Sequence, residues 1–318
     1  MFKAAVYRFY QNYLMASRLP EYERLMSMLV EHGYSFLTVA DLARRAEGAA
    51  LPARTCIVRV DVDSDVPTAR EMFCIKRALG IRTTYYFRLC TLDSELMKEI
   101  PASGSEVGYH YEEIATVAKR LGLQSRADVE SSISIIRAEF TRNIERFADQ
   151  AGSYPVTIAS HGDWINRKLR LTNHFIADPA LRHALGILAE AYDPELNRPV
   201  QARFSDAEAP AWWRPASPAE AIKNGVSCIY LLVHPRQWRA NRLENFRLDI
   251  ERSAEASLYL SRCLAKASIA RYRRFCAPSR FFQRLPATGS SSVRSARIAA
   301  LLHHNDCGRD RGRSTGSE

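Results

Sequence analysis

The sequence predicts an α/β fold with a largely parallel sheet, and three observations predict it. Short β-branched apolar runs alternate with amphipathic, helix-period stretches between residues 20 and 235. The runs are continuously apolar, as strands covered by helices on both faces must be. Four of them lead directly into an aspartate or a histidine. About seven strand-and-helix units make a closed or nearly closed (β/α) barrel the economical arrangement.

Each element has its own local reason. Residues 20–33 place Tyr22, Leu25, Met26 and Leu29 on one helical stripe, and Gly33 after His32 stops the helix. Residues 34–39 form a short strand. Residues 55–60 form an apolar strand that runs into Asp61-Val62-Asp63-Ser64-Asp65. Pro67 suits the first turn of the next helix, 67–79, which carries Ala69, Met72 and Phe73 and ends at Gly80. Strands follow at 83–87 and 106–110. Residues 126–148 repeat Val129, Ile133, Ile136, Phe140, Ile144 and Phe147 at steps of three and four, a long helix. Strands at 156–161 and 227–234 complete the alternation, the second stopped by Pro235. From about 264 the pattern fails, and 288–292 and 308–318 read as linker and disordered end.

Composition bounds the function. The 318 residues are 47% hydrophobic and 25% charged, the usage of a globular protein that needs no disulfide staples. The net charge of +10 is uneven: residues 256–318 hold twelve Lys or Arg against three acids, and 1–255 hold thirty-three against thirty-two. The division is therefore a catalytic body, 1–255, and a basic extension, 256–318. No nucleic-acid partner is expected for the nearly neutral body. The basic tail is a candidate for contact with acidic lipid. Seven cysteines in no metal-knuckle spacing suit a reducing compartment. Polar residues interrupt the N-terminus, so the expected location is cytoplasmic.

The chemistry sits at the strand ends. In a parallel sheet these ends share one face, so Asp61, Asp63, Asp65, His110, His161 and His234 are expected to converge across 170 residues of sequence. A carboxylate or imidazole there costs burial energy unless it has a partner. Asp65 is the natural cap of the following helix, which leaves Asp61 and Asp63 for metal or base roles. An EF-hand is excluded, because its sixth and twelfth positions would be Val66 and Met72. An aspartyl-nucleophile phosphatase and a DxD glycosyltransferase also begin with two acids after an apolar strand, but neither accounts for three later histidines.

In this order and spacing the segments resemble the polysaccharide deacetylase (NodB-homology) superfamily, in a divergent cytoplasmic-type branch. The resemblance covers about residues 20–250 and rests on Val60-Asp61-Val62-Asp63, Gly80 to Phe87, Gly104 to His110, Ile158 to Gly162 and Leu231 to Pro235. It implies an irregular seven-stranded TIM-like barrel and a metal-dependent hydrolase that removes an acetyl group from an N-acetylated sugar or related non-peptide amide. It implies Asp61 as general base, His234 as general acid and one divalent cation, zinc by preference. The family's second histidine is here Ile114, so a replacement ligand is required, His161 or Glu113; the set implied is Asp63, His110 and His161. Gly162, Asp206 and Trp212 are implied at the substrate, a small carbohydrate or glycan precursor. The missing histidine leaves a second reading, an inactive relative that binds a glycan or nucleotide-linked sugar.

Overall fold

The computed structural model describes residues 2–45 and 50–276. Nine strands form one sheet: β1 Ser35–Leu37, β2 Thr55–Val62, β3 Thr84–Phe87, β4 Glu106–Tyr111, β5 Thr157–Ser160, β6 Ala189–Glu190, β7 Ala202–Asp206, β8 Trp213–Arg214 and β9 Cys228–Val233. Their order is β6-β5-β4-β3-β2-β9-β7-β8, with β1 beside the first half of β2. Seven parallel strands run from β6 to β7, the number expected, but the barrel does not close. Its two ends are β6 and β8, each two residues long, and β8 runs antiparallel to β7. Closure needs a continuous register round the ring, which two short edges of unlike direction do not provide.

The central strands are buried along their whole length. All eight residues of β2 and all four of β3 are buried, as the continuous apolar runs require. Helices Leu19–Glu31, Val66–Ala78, Ser94–Ala102, Glu113–Leu121 and Ile133–Ala151 cover them. The long helix read over 126–148 is two, Arg126–Ser131 and Ile133–Ala151, broken at Ser132. Asp65 caps its helix through the backbone N–H of Thr68, as expected, with φ at 58°.

One close approach fixes the middle of the sheet. A Cβ at Gly108 on β4 would lie 2.4 Å from the Tyr86 ring and 2.6 Å from the Thr157 carbonyl oxygen. Only glycine lets Tyr86 of β3 cross β4 and bring its hydroxyl within 2.6 Å of Thr157 Oγ1 on β5.

Residues 1–268 form one compact unit. A helix runs from Arg242 to Cys276. The boundary expected at 255/256 falls inside this helix, and the loss of pattern expected from 264 does not end it. Tyr259 is fully buried, stacks edge-on against Trp164 and donates to the Leu123 carbonyl. A few buried residues on a helix that is polar and charged over most of its surface are a weak signal in the sequence. The segments at 288–292 and 308–318, with everything beyond Cys276, lie outside the described residues. Among the described residues no helix is long and apolar enough to cross a membrane.

Candidate metal centre

Strand β2 delivers two carboxylates to the C-terminal edge of the sheet. Asp61 lies within the strand and is 2% exposed. Arg59, two residues earlier and therefore on the same face, grips it with both arms: Nε to Oδ1 at 2.6 Å and Nη2 to Oδ2 at 2.7 Å. Burial opposes the Asp61 charge, but Arg59 outweighs it and holds the carboxyl below its usual range. Asp63 follows the strand, and its Oδ1 is buried without a hydrogen bond.

The neighbouring strands bring two imidazoles to that oxygen. His110 of β4 donates from Nδ1 to the Ala159 carbonyl of β5 at 2.9 Å. His161, just past β5, donates from Nδ1 to Glu112 Oε2 at 3.1 Å. Both rings thereby turn Nε2 toward Asp63 Oδ1, at 3.2 Å for His110 and 3.5 Å for His161. One donor atom from each of the three residues falls within 4.8 Å of the others. Burial resists ionisation of Glu112, yet Arg88 and His161 pull it down to about 2. Arg88 also donates to the Asp63 carbonyl at 3.0 Å, so one guanidinium ties the loop after β2 to the residue behind His161.

This arrangement fits a divalent cation. An imidazole whose Nδ1–H is engaged presents an unprotonated Nε2. Two such nitrogens and an orphaned carboxylate oxygen are the ligand set of an open catalytic site. Without a cation, two imidazoles would crowd one carboxylate oxygen that nothing else satisfies.

His234, past β9, stands on the other side of Asp63, and the two line a common recess. Asp206 of β7 accepts from the His234 backbone N–H at 2.6 Å, from its Nδ1 at 2.7 Å and from Trp238 Nε1 at 3.0 Å. Burial works against the imidazolium, but Asp206 overrides it and pushes His234 up to about 10.

The structure thus brings together Asp61, Asp63, His110, His161 and His234. It moves three other expected residues. Asp206 does not face substrate: its oxygens are spent on His234 and Trp238, because β7 lies directly beside β9. Trp212 is not on the cleft wall; Arg18 covers its ring at 3.8 Å, and the left-handed backbone there turns it outward from β8. Glu113 is no replacement ligand, for it is buried against Tyr109 Oη at 2.6 Å and Asn143 Nδ2 at 2.9 Å. Ile114 lies in the core. Gly162 does line the cleft beside His161.

Arg59, Glu112 and Arg88 carry no family signal and were not anticipated. The period of two was the available clue: Arg59 shares its face with Asp61, and Glu112 with His110.

An open α/β sheet with a carboxylate–imidazole cluster at its strand ends is a frame for metal-assisted hydrolysis. No family model and no curated protein matches the sequence. Among solved structures the chain is similar to the Streptococcus pyogenes deacetylase PplD in complex with acetate, at 12% identity over 68% of this chain and 82% of that one, TM-score 0.38. It is also similar to IcaB from Ammonifex degensii, at 16% identity over 55% of this chain and 77% of that one, TM-score 0.38. At that distance neither assigns a residue or a reaction to this chain.

Proposed function

We propose that the chain is a metal-dependent hydrolase that removes an acetyl group from an N-acetylated sugar. The observation that carries this is the Asp63, His110 and His161 donor set flanked by a restrained carboxylate and a charged imidazole. Zinc suits two imidazole nitrogens, one carboxylate oxygen and an open position. Bound there, the cation would polarise the amide carbonyl and bring a water's pKa to about 7.

The protein's own groups then divide the proton work. Asp61, kept ionised by Arg59 and 3.4 Å from His110 Nε2, accepts the proton of the attacking water. His234, kept cationic by Asp206, faces the same centre through the shared recess and protonates the departing amine. Gly162 at the cleft wall offers a backbone N–H to the developing oxyanion. Acid and base are thus set in opposite charge states by different partners, as general acid–base chemistry requires.

An aspartyl nucleophile must carry its carboxylate to phosphorus. Asp61 is held through both oxygens by Arg59, which suits proton transfer rather than attack.

The test is acetate release from a panel of N-acetylated sugars by the zinc-loaded full chain. Asp61→Asn and His234→Gln should each lower the rate by about 10²–10⁴-fold, the usual worth of a positioned acid or base. Wild-type rates in both variants would sink the proposal.

A further inference from the structure

The cleft above the metal centre has a volume of about 890 Å³, and most of its charged residues are paired across it. Arg88 pairs with Glu112, Lys119 with Asp163 and Glu255, Arg120 with Glu139, and Arg247 with Glu244. Arg146, Arg167 and Arg262 on the wall make no ion pair among the described residues, and neither do three arginines gathered where the cleft meets a smaller recess. Arg8 and Arg252 lie on the cleft wall, and Arg252 continues into the adjoining recess, which it shares with Arg236, Asp63, His234 and Asp206, whose carboxylate is engaged by His234 and Trp238. None of the three makes an ion pair among the described residues. Two carboxylates act on Arg236 from nearby: Asp249, which already accepts from Tyr13 Oη at 2.6 Å, and Glu208.

We propose that Arg8, Arg236 and Arg252 form a phosphate subsite, so that the N-acetylated sugar carries a phosphoryl or diphosphoryl group that anchors it beside the metal centre. This deepens the deacetylase reading and rests on it for the sugar. Three separate elements deliver the guanidiniums, the helix Phe2–Phe9, the turn after β9 and the helix Arg242–Cys276, so their convergence is not a property of one charged face. Burial and the neighbouring Arg252 and Arg8 charges depress Arg236, a strain that a bound anion relieves. The planar forks of arginine match the oxygens of a phosphate. The recess holds about 170 Å³, room for a phosphoryl group but not for a sugar ring, and it opens beside a cleft large enough for the ring. Asp63, common to cleft and recess, keeps the anchored group within one sugar's length of the chemistry.

The experiment is calorimetric titration of the full chain, stripped of metal with a chelator, with inorganic pyrophosphate. Wild type should bind it, and Arg236→Gln and Arg252→Gln should each weaken binding by about tenfold or more, the worth of one charge-assisted contact. Arg252 is exposed, so its variant folds whatever happens at Arg236. Folded wild type that binds no pyrophosphate, or variants that bind it unchanged, would overturn the subsite. A galacturonate control that binds as well as pyrophosphate would overturn the phosphate assignment. Acetate release separates the two proposals: arginine-dependent binding without any release removes the hydrolase and leaves the subsite. Equal release from phosphorylated and unphosphorylated N-acetylglucosamine removes the subsite and leaves the hydrolase. Faster release from a water-soluble nucleoside-diphosphate sugar, or from a lipid-linked sugar diphosphate in vesicles, identifies which source supplies the phosphate.

Discussion

Asp206 sets both the position and the charge of His234. It binds the backbone N–H, the imidazole and the tryptophan behind it, so ring position and charge have one cause. Asp206→Asn keeps the shape and removes the charge. The His234 pKa should then fall from about 10 toward an ordinary histidine value of about 6.5. The imidazolium is the active form of the acid, so the alkaline limb of the kcat/KM profile should move to lower pH by at least one unit. An unmoved limb would remove His234 from that role. Linkage gives the same pair a stability signature. Its folded pKa is raised, so its contribution is full below about pH 6.5 and is lost as pH rises through about 10.

At the scale of elements, the alternation of strands and helices was legible because buried parallel strands leave an unmistakable apolar run. Residues 55–60, 83–87, 106–110, 156–161 and 227–234 all fall on strands, within a residue or two at their ends. The same clarity exposed the polar residues that follow them, which is why the metal set could be read. What the runs hid was polar residues inside them. Arg59 sits in the middle of a β-branched stretch and is wholly buried, yet it holds Asp61, the proposed base. Strands β6 and β8 are two residues each, too short for any periodicity.

Helix Val66–Ala78 carries a second buried cation with a different logic. Lys76 is buried, its Nζ lacks a hydrogen bond, and it faces the Tyr85 ring at 4.0 Å and the Tyr22 ring at 6.0 Å. Burial pushes its pKa well below the usual lysine value. The unfolded chain therefore binds more protons between the folded pKa and about 10.4. Lys76 costs nothing above that pH, costs more as pH falls, and costs most below its folded pKa. Lys76→Met should raise stability near neutral pH by about 1–3 kcal/mol, the penalty of an unsatisfied buried polar group. Thermal melting across pH checks it, and an equal or lower Tm in the variant would contradict it.

At the scale of the molecule, the helix beginning at Arg242 belongs to the compact unit through Ser268, although the charge of residues 256 onward suggested a tail. Glu244, Arg247, Glu251 and Glu255 build one wall of the cleft, and Tyr259, with the buried Asn245 that donates to the Asn12 carbonyl, ties that wall to the body. Charge statistics placed a boundary at 255 because they weigh surface and cannot register one buried ring. Tyr259→Ala should destabilise the fold by about 3–5 kcal/mol, as large-to-small changes of buried aromatics do. On the proposed function it should also raise KM more than it lowers kcat, since these residues line the cleft and supply none of the proposed metal ligands. A variant with wild-type stability and KM would show the wall to be held elsewhere.

Asp63, His110 and His161, far apart in sequence, are proposed to hold one ion between them. Elemental analysis of the dialysed full chain after zinc loading tests this most directly, with wild type compared against Asp63→Ala, His110→Ala and His161→Ala. The account predicts one ion per wild-type chain and, in each folded variant, an affinity lower by at least about 10–100-fold, the cost seen even for groups behind the ligands. A folded wild type that retains no ion, or variants that retain it in full, would contradict the account.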